Sequence, residues 1–107
     1  MIEELTPAQF LERRAQGQQM TLLDVREDWE IERAPVPSPT VRIPMGQIMG
    51  RVGELDPQRA TVVICRSGGR SLQVARFLES RGFTHVGNLE GGILAWSRDV
   101  DPSIPQY

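Results

Sequence analysis

The stretch Thr61-Val62-Val63-Ile64, followed by Cys65-Arg66-Ser67-Gly68-Gly69-Arg70 and then Ser71 to Arg81, restricts the fold more than any other feature of the chain. Its first four residues are all β-branched, which predicts a strand covered on both faces, as parallel-sheet strands are. From Ser71 onward, the spacing of Leu72, Ala75 and Leu78 predicts a helix with one apolar face, and Gly82 supplies its stop. A strand and a helix joined by a short glycine-containing loop make half of a right-handed crossover. The pattern recurs elsewhere. Thr21 to Val25 reads as a short buried strand followed by a helix from Glu27 to Arg33, and Thr84 to Leu89 as another strand, followed by a short helix that starts at Gly91-Gly92 and carries Trp96. Near the beginning, Thr6 can cap a helix, Pro7 suits its first position and Gln9 completes a capping box. Leu5 and Phe10 flank that cap as a hydrophobic staple, and the helix should stop near Gly17. Alternating strands and helices predict an α/β domain with a mostly parallel sheet. A length of 107 residues suits one domain spanning 1–107, with the Pro35 to Pro39 stretch as an internal loop.

The loop is also where chemistry is expected. Open α/β sheets bind ligands at the carboxyl ends of their strands, and Cys65 follows such an end. Gly68 and Gly69 let the backbone curl so that N–H groups point inward, and the loop runs into a helix N-terminus. Arg66 and Arg70 add positive charge. All of this favours an anion at the loop centre and the thiolate of Cys65 over its thiol. The competing reading makes Cys65 a small buried hydrophobe closing a core strand and the arginines solvated charges; the Gly-Gly-Arg loop favours reactivity.

Counts of single residue types narrow the chemistry further. All 12 basic residues are Arg, so Schiff-base and P-loop lysines are absent. Cys65 is the sole cysteine and His85 the sole histidine, so no disulfide, CxxC pair or multi-histidine metal site can form, and no metal or cofactor is expected. His85 opens a late strand, and nothing in the sequence puts it beside Cys65. A thiolate without an evident base suits attack on a soft electrophile such as sulfur. The net charge of −2 argues against nucleic acid or an anionic membrane as partner. With no basic residue before Arg13 and no long apolar segment, a cytoplasmic, reducing location is expected.

The segment Cys65-Arg66-Ser67-Gly68-Gly69-Arg70-Ser71 resembles the active-site loop of the rhodanese, or sulfurtransferase, family. Leu22-Leu23-Asp24-Val25-Arg26-Glu27 with Trp29-Glu30 resembles the family's N-terminal signature, Ile43-Pro44-Met45 the segment after its third strand, and Val86 to Trp96 its C-terminal signature. The resemblance implies a five-stranded parallel sheet flanked by helices. It implies a ping-pong reaction in which Cys65 takes a sulfane sulfur from a small anionic donor such as thiosulfate and passes it to cyanide or another thiophilic acceptor. By motif position, Arg66 would meet the donor's sulfonate, with Ser67, Gly68, Gly69 and Arg70 completing the cradle. Asp24, Arg26 and Ser71 would support it, the first two as a strand-end salt bridge. Gly91, Gly92 and Trp96 read as a tight turn and a helix packed on the sheet, and Trp29 as core or rim.

There are departures from the family. Many members carry a Gly-His-Ile-Pro-Gly-Ala segment where this chain has Arg33 to Thr40, without His or Gly. The tail Asp101 to Tyr107 resembles the ends of rhodanese domains joined to enzymes that activate sulfur-carrier proteins, so a protein thiol or a sulfur carrier is a conceivable acceptor. A persulfide carrier or interaction module is the alternative. A cysteine-dependent phosphatase or arsenate reductase is a poorer fit: those use Cys-x5-Arg, and Arg70 follows Cys65 at Cys-x4-Arg.

Overall fold

A computed structural model describes residues 1–107. Five strands form one sheet: β1 (Glu3–Leu5), β2 (Met20–Asp24), β3 (Val41–Arg42), β4 (Ala60–Ile64) and β5 (Val86–Leu89). Their order is β1-β5-β4-β2-β3 and every neighbouring pair is parallel. The helices are α1 (Pro7–Ala15), α2 (Asp28–Arg33), α3 (Ile48–Arg51, between two short 3₁₀ turns), α4 (Gly69–Ser80) and α5 (Gly92–Asp99).

Side-chain alternation along β4 divides the core. Val62 and Ile64 face a cluster with Leu5, Phe10, Leu89, Ile93 and Trp96, so α1 and α5 cover that side. Val63 and Cys65 face the other cluster, with Ile48, Val74, Ala75 and Leu78 of α3 and α4. Each large side chain buried this way contributes about 1.5–3 kcal/mol. The capping box forms: Gln9 N–H donates to Thr6 Oγ1 at 3.1 Å and Thr6 N–H to Gln9 Oε1 at 2.9 Å. Such a cap contributes ~1 kcal/mol. Leu5 and Phe10 are both buried in the same cluster, and Trp96 meets the Phe10 ring at 6.0 Å between centroids.

Several boundaries move. The helix expected from Ser71 begins at Gly69, because the left-handed turn at Gly68 caps it two residues earlier. Its buried face is Ser71, Val74, Ala75 and Leu78, and Leu72 is only half-buried. The late strand starts at Val86 rather than Thr84. The edge strands β1 and β3 and the short α3 have no counterpart in the residue-level reading.

Candidate active site

Cys65 follows the last residue of β4, a central strand flanked by β2 and β5. Beyond it the chain curls through Gly68, whose φ of +109° is one that L side chains rarely adopt, and enters the twelve-residue α4. The turn brings the Gly68 N–H to 3.1 Å from Cys65 Sγ, where it donates. The loop's outer side is fixed by α5. Ile93 N–H donates to the Cys65 carbonyl at 2.9 Å, and Leu94 N–H to the Arg66 carbonyl at 3.1 Å. These bonds hold two loop carbonyls against α5 and away from the sulfur. They require Gly92, with φ +61°, because a Cβ there would overlap the carbonyls of Cys65 and Arg66. The Gly91-Gly92 turn therefore does more than pack a helix: it braces the loop.

Cys65 is 1% exposed, and its sulfur sits on the floor of this loop. Burial pushes the Cys65 thiol up, but its contacts with Ser71 and the amides of Gly68 and Ser67 together outweigh that and leave the thiol below its ordinary pKa. Oriented amides at a helix N-terminus have this effect without any base nearby. His85 is exposed at the start of β5, where its carbonyl accepts from Thr61 N–H at the beginning of β4. It is thus at the far end of the sheet from Cys65.

The two loop arginines differ sharply. Arg70 points back to Glu30 of α2 and binds both carboxylate oxygens, at 2.8 and 2.7 Å. The guanidinium holds Glu30 down to about 2 and is itself raised. Arg66 is exposed, its Nε and Nη2 donating to the Tyr107 main-chain oxygen and its guanidinium 5.3 Å from the Tyr107 ring centroid.

Asp24 and Arg26 form a fully buried pair, with Arg26 Nε 3.0 Å from Oδ1 and Nη2 2.9 Å from Oδ2. Arg26 also donates to the Ala34 carbonyl at 2.9 Å and to the Tyr107 hydroxyl at 3.1 Å. That hydroxyl donates to Glu30 Oε1 at 2.9 Å, so Asp24, Arg26, Tyr107, Glu30 and Arg70 make one continuous network behind the loop. Ser67 and Gly69 lie exposed in the loop and first helical turn, and Ser71 Oγ is 3.3 Å from Cys65 Sγ. Trp29 is 62% exposed and meets the Tyr107 ring edge-on. Three members of this constellation were quoted within the sequence motifs but not read as site residues: Glu30, Tyr107 and Asn88, which bonds Ser71. Asn88 left one signal, a polar side chain between Val86 and Leu89 in a buried strand.

A model of the rhodanese-like domain matches residues 6–99. The chain belongs to the rhodanese-like family. A sulfurtransferase of Allochromatium vinosum is 36% identical over 104 residues, covering 97% of this chain and 96% of that protein. The YtwF protein of Bacillus subtilis is 39% identical over 101 residues, covering 94% of this chain and 96% of its own length. Other relatives are longer: the chain spans 30% of the rhodanese-like/PpiC domain-containing protein 12 of Arabidopsis thaliana and 21% of an adenylyltransferase and sulfurtransferase of Zea mays. The crystal structure of a rhodanese-related protein from Thermoplasma volcanium superposes with a TM-score of 0.82 at 26% identity, over 98% of this chain and 99% of that one. Relationship and fold together support sulfur transfer as the class of activity. In this rhodanese-like domain the Pro-rich departure is a tethered connector, with Arg14 Nη1 donating to Ser38 Oγ at 2.5 Å and to the Pro39 carbonyl at 3.3 Å. No helix is long and apolar enough to cross a membrane.

Proposed function

We propose that this rhodanese-like domain is a sulfurtransferase in which the Cys65 thiolate carries the sulfur as a persulfide. The observation that supports this most is the seat of Sγ. It lies at the carboxyl end of a central parallel strand, ahead of the N-terminus of α4 and 3.1 Å from the Gly68 amide, with no imidazole beside it. Such a seat suits a nucleophile that is already ionised and attacks without a base. The thiolate attacks the outer sulfur of thiosulfate. The S–S bond of the donor breaks, sulfite leaves with the bonding pair, and the negative charge moves to the terminal sulfur of the Cys65 persulfide. Attack by cyanide then forms thiocyanate and returns the Cys65 thiolate, so no external oxidant or reductant is needed.

Arg66 exchanges the Tyr107 oxygen for the donor's sulfonate, while the inward amides of Ser67, Gly68 and Ser71 face the charge that builds on sulfur. Arg70, anchored on Glu30, contributes positive charge through space rather than a hydrogen bond to the donor. The same anchoring speaks against a phosphatase, whose loop arginine must wrap an oxyanion. A protein thiol or the end of a sulfur-carrier protein is the acceptor class that suits a small domain in a reducing cytoplasm. The test is steady-state thiocyanate release from thiosulfate and cyanide, varied against each other. Parallel double-reciprocal lines that vanish in Cys65→Ser support the reading. Intersecting lines, or turnover that survives the substitution, contradict it.

A further inference from the structure

The Gly68 N–H lies 3.1 Å and Ser71 Oγ 3.3 Å from the Cys65 sulfur. One residue bonds both Ser71 and Gly68. Asn88 of β5, 3% exposed, donates from Nδ2 to the Gly68 carbonyl at 3.2 Å, and its Oδ1 accepts from the Ser71 hydroxyl at 2.5 Å. The Glu4 carboxylate lies 3.2 Å from the same Nδ2. A carbonyl and a carboxylate on that side fix the amide's orientation, since a flipped amide would set its oxygen against two acceptors. Oδ1 therefore faces Ser71.

The Ser71 hydroxyl has one hydrogen. With Cys65 as a thiol every donor is matched: S–H donates to Ser71 Oγ, and Ser71 O–H donates to Asn88 Oδ1. With Cys65 as a thiolate, Ser71 can donate to the sulfur only by turning its hydrogen away from Oδ1. That would leave a buried acceptor without a partner, which is unfavourable. We propose that Asn88 is a positioning residue which competes with the Cys65 sulfur for the single hydroxyl proton of Ser71, restraining the thiolate. The proposal rests on the reading of Cys65 as the nucleophile.

Few other charges bear on the sulfur. Arg70 of α4 acts on it through space with Glu30 of α2 behind, Asp24 of β2 is paired with Arg26, and Glu4 of β1 reaches only Asn88. Arg66 is turned to Tyr107.

The test is the pH–rate profile for alkylation of Cys65 by iodoacetamide in the full chain, compared among wild type, Asn88→Ala, Ser71→Ala and the double variant. Freed from Asn88, Ser71 can serve the thiolate, so Asn88→Ala moves the inflection to lower pH by about half a unit or more. In the Ser71→Ala background the same substitution gives no downward shift. Ser71→Ala alone changes the inflection little, because in wild type its hydrogen is committed to Asn88. This variant decides the matter if Asn88→Ala fails to fold. An upward shift in Asn88→Ala, a downward shift that persists without Ser71, or a rise of about one unit in Ser71→Ala alone would overturn the assignment. A wild-type Cys65 that alkylates only after unfolding would instead overturn the nucleophile reading beneath it.

Discussion

At the amino ends of the strands there is a cavity of about 230 Å³, lined by Glu3, Arg13, Met20, Thr61 and His85 among others. At the carboxyl ends, Cys65 lies under its loop with 1% of its surface open. The first region has volume, the sole imidazole and an ion pair between Arg13 and Glu3. The second has little space over the sulfur itself, but the thiol, the loop amides and the N-terminus of α4 converge there. The reason is directional. In a parallel sheet with crossover helices each helix starts where a strand ends, so the N–H-rich termini of α4 and α5 gather at the carboxyl edge and leave the carbonyl-rich termini at the other. A thiolate can be held at one edge only. In this molecule the orientation of amides marks the proposed reactive site.

The contrast can be broken most decisively at the proposed nucleophile. Cys65→Ser should bring sulfur transfer to background, at a cost to stability of only about 1 kcal/mol, because the hydroxyl inherits partners in Gly68 and Ser71. A collapse of the thermal midpoint would instead mark Cys65 as a core residue alone. Next in size is the brace. Gly92→Ala should cost about 2–4 kcal/mol by chemical denaturation and abolish transfer, since its Cβ would overlap the Cys65 and Arg66 carbonyls at a left-handed φ. Gly53→Ala, with nothing within 4 Å and no left-handed φ, should be silent in both assays. Equal effects would remove the loop-bracing role of α5.

The ion pair behind the loop makes a pH-dependent prediction. Glu30 is held at about 2 rather than 4.5. Its stabilisation is thus complete above pH 4.5 and fades as pH falls toward about 2. Its size is on the order of 2 kcal/mol, allowing for solvent screening at the partly open Arg70. Thermal midpoints followed from pH 6 to 2 should drop less steeply in Glu30→Gln than in wild type; identical slopes would show that Arg70 is not anchored this way. The smallest effects concern the outer residues. Arg66→Ala should raise the donor KM several-fold with kcat nearly unchanged, whereas His85→Ala, at the opposite edge, should change neither. A His85→Ala enzyme with reduced kcat would erase the contrast between the two edges.

How legible this was depends on the range of the interaction. The capping box of Thr6 and Gln9, the buried strand of Thr61 to Ile64 and the loop glycines announce themselves because their partners lie within a few residues. The edge strands do not. β1 carries Glu3 and Glu4, and β3 is two exposed residues, so neither has an apolar alternation to read. At the site, Cys65, Gly68 and Ser71 were readable from one contiguous segment. Glu30, Asn88 and Tyr107 were not, because Glu30 and Asn88 reach that segment across 40 and 17 positions of chain and Tyr107 reaches Arg66 across 41. Only the folded sheet brings them together. The motif made both loop arginines candidate anion ligands; the fold separates them, one anchored on Glu30 and the other exposed beside Tyr107.

The central claim is that Cys65 carries sulfur, and intact mass after incubation with thiosulfate tests it most directly. Wild type should gain one sulfur atom (~32 Da) that a thiol reductant removes, and Cys65→Ser should gain none. An adduct that persists in Cys65→Ser, or a wild-type chain that takes up no sulfur from thiosulfate or from a protein persulfide, would contradict the account.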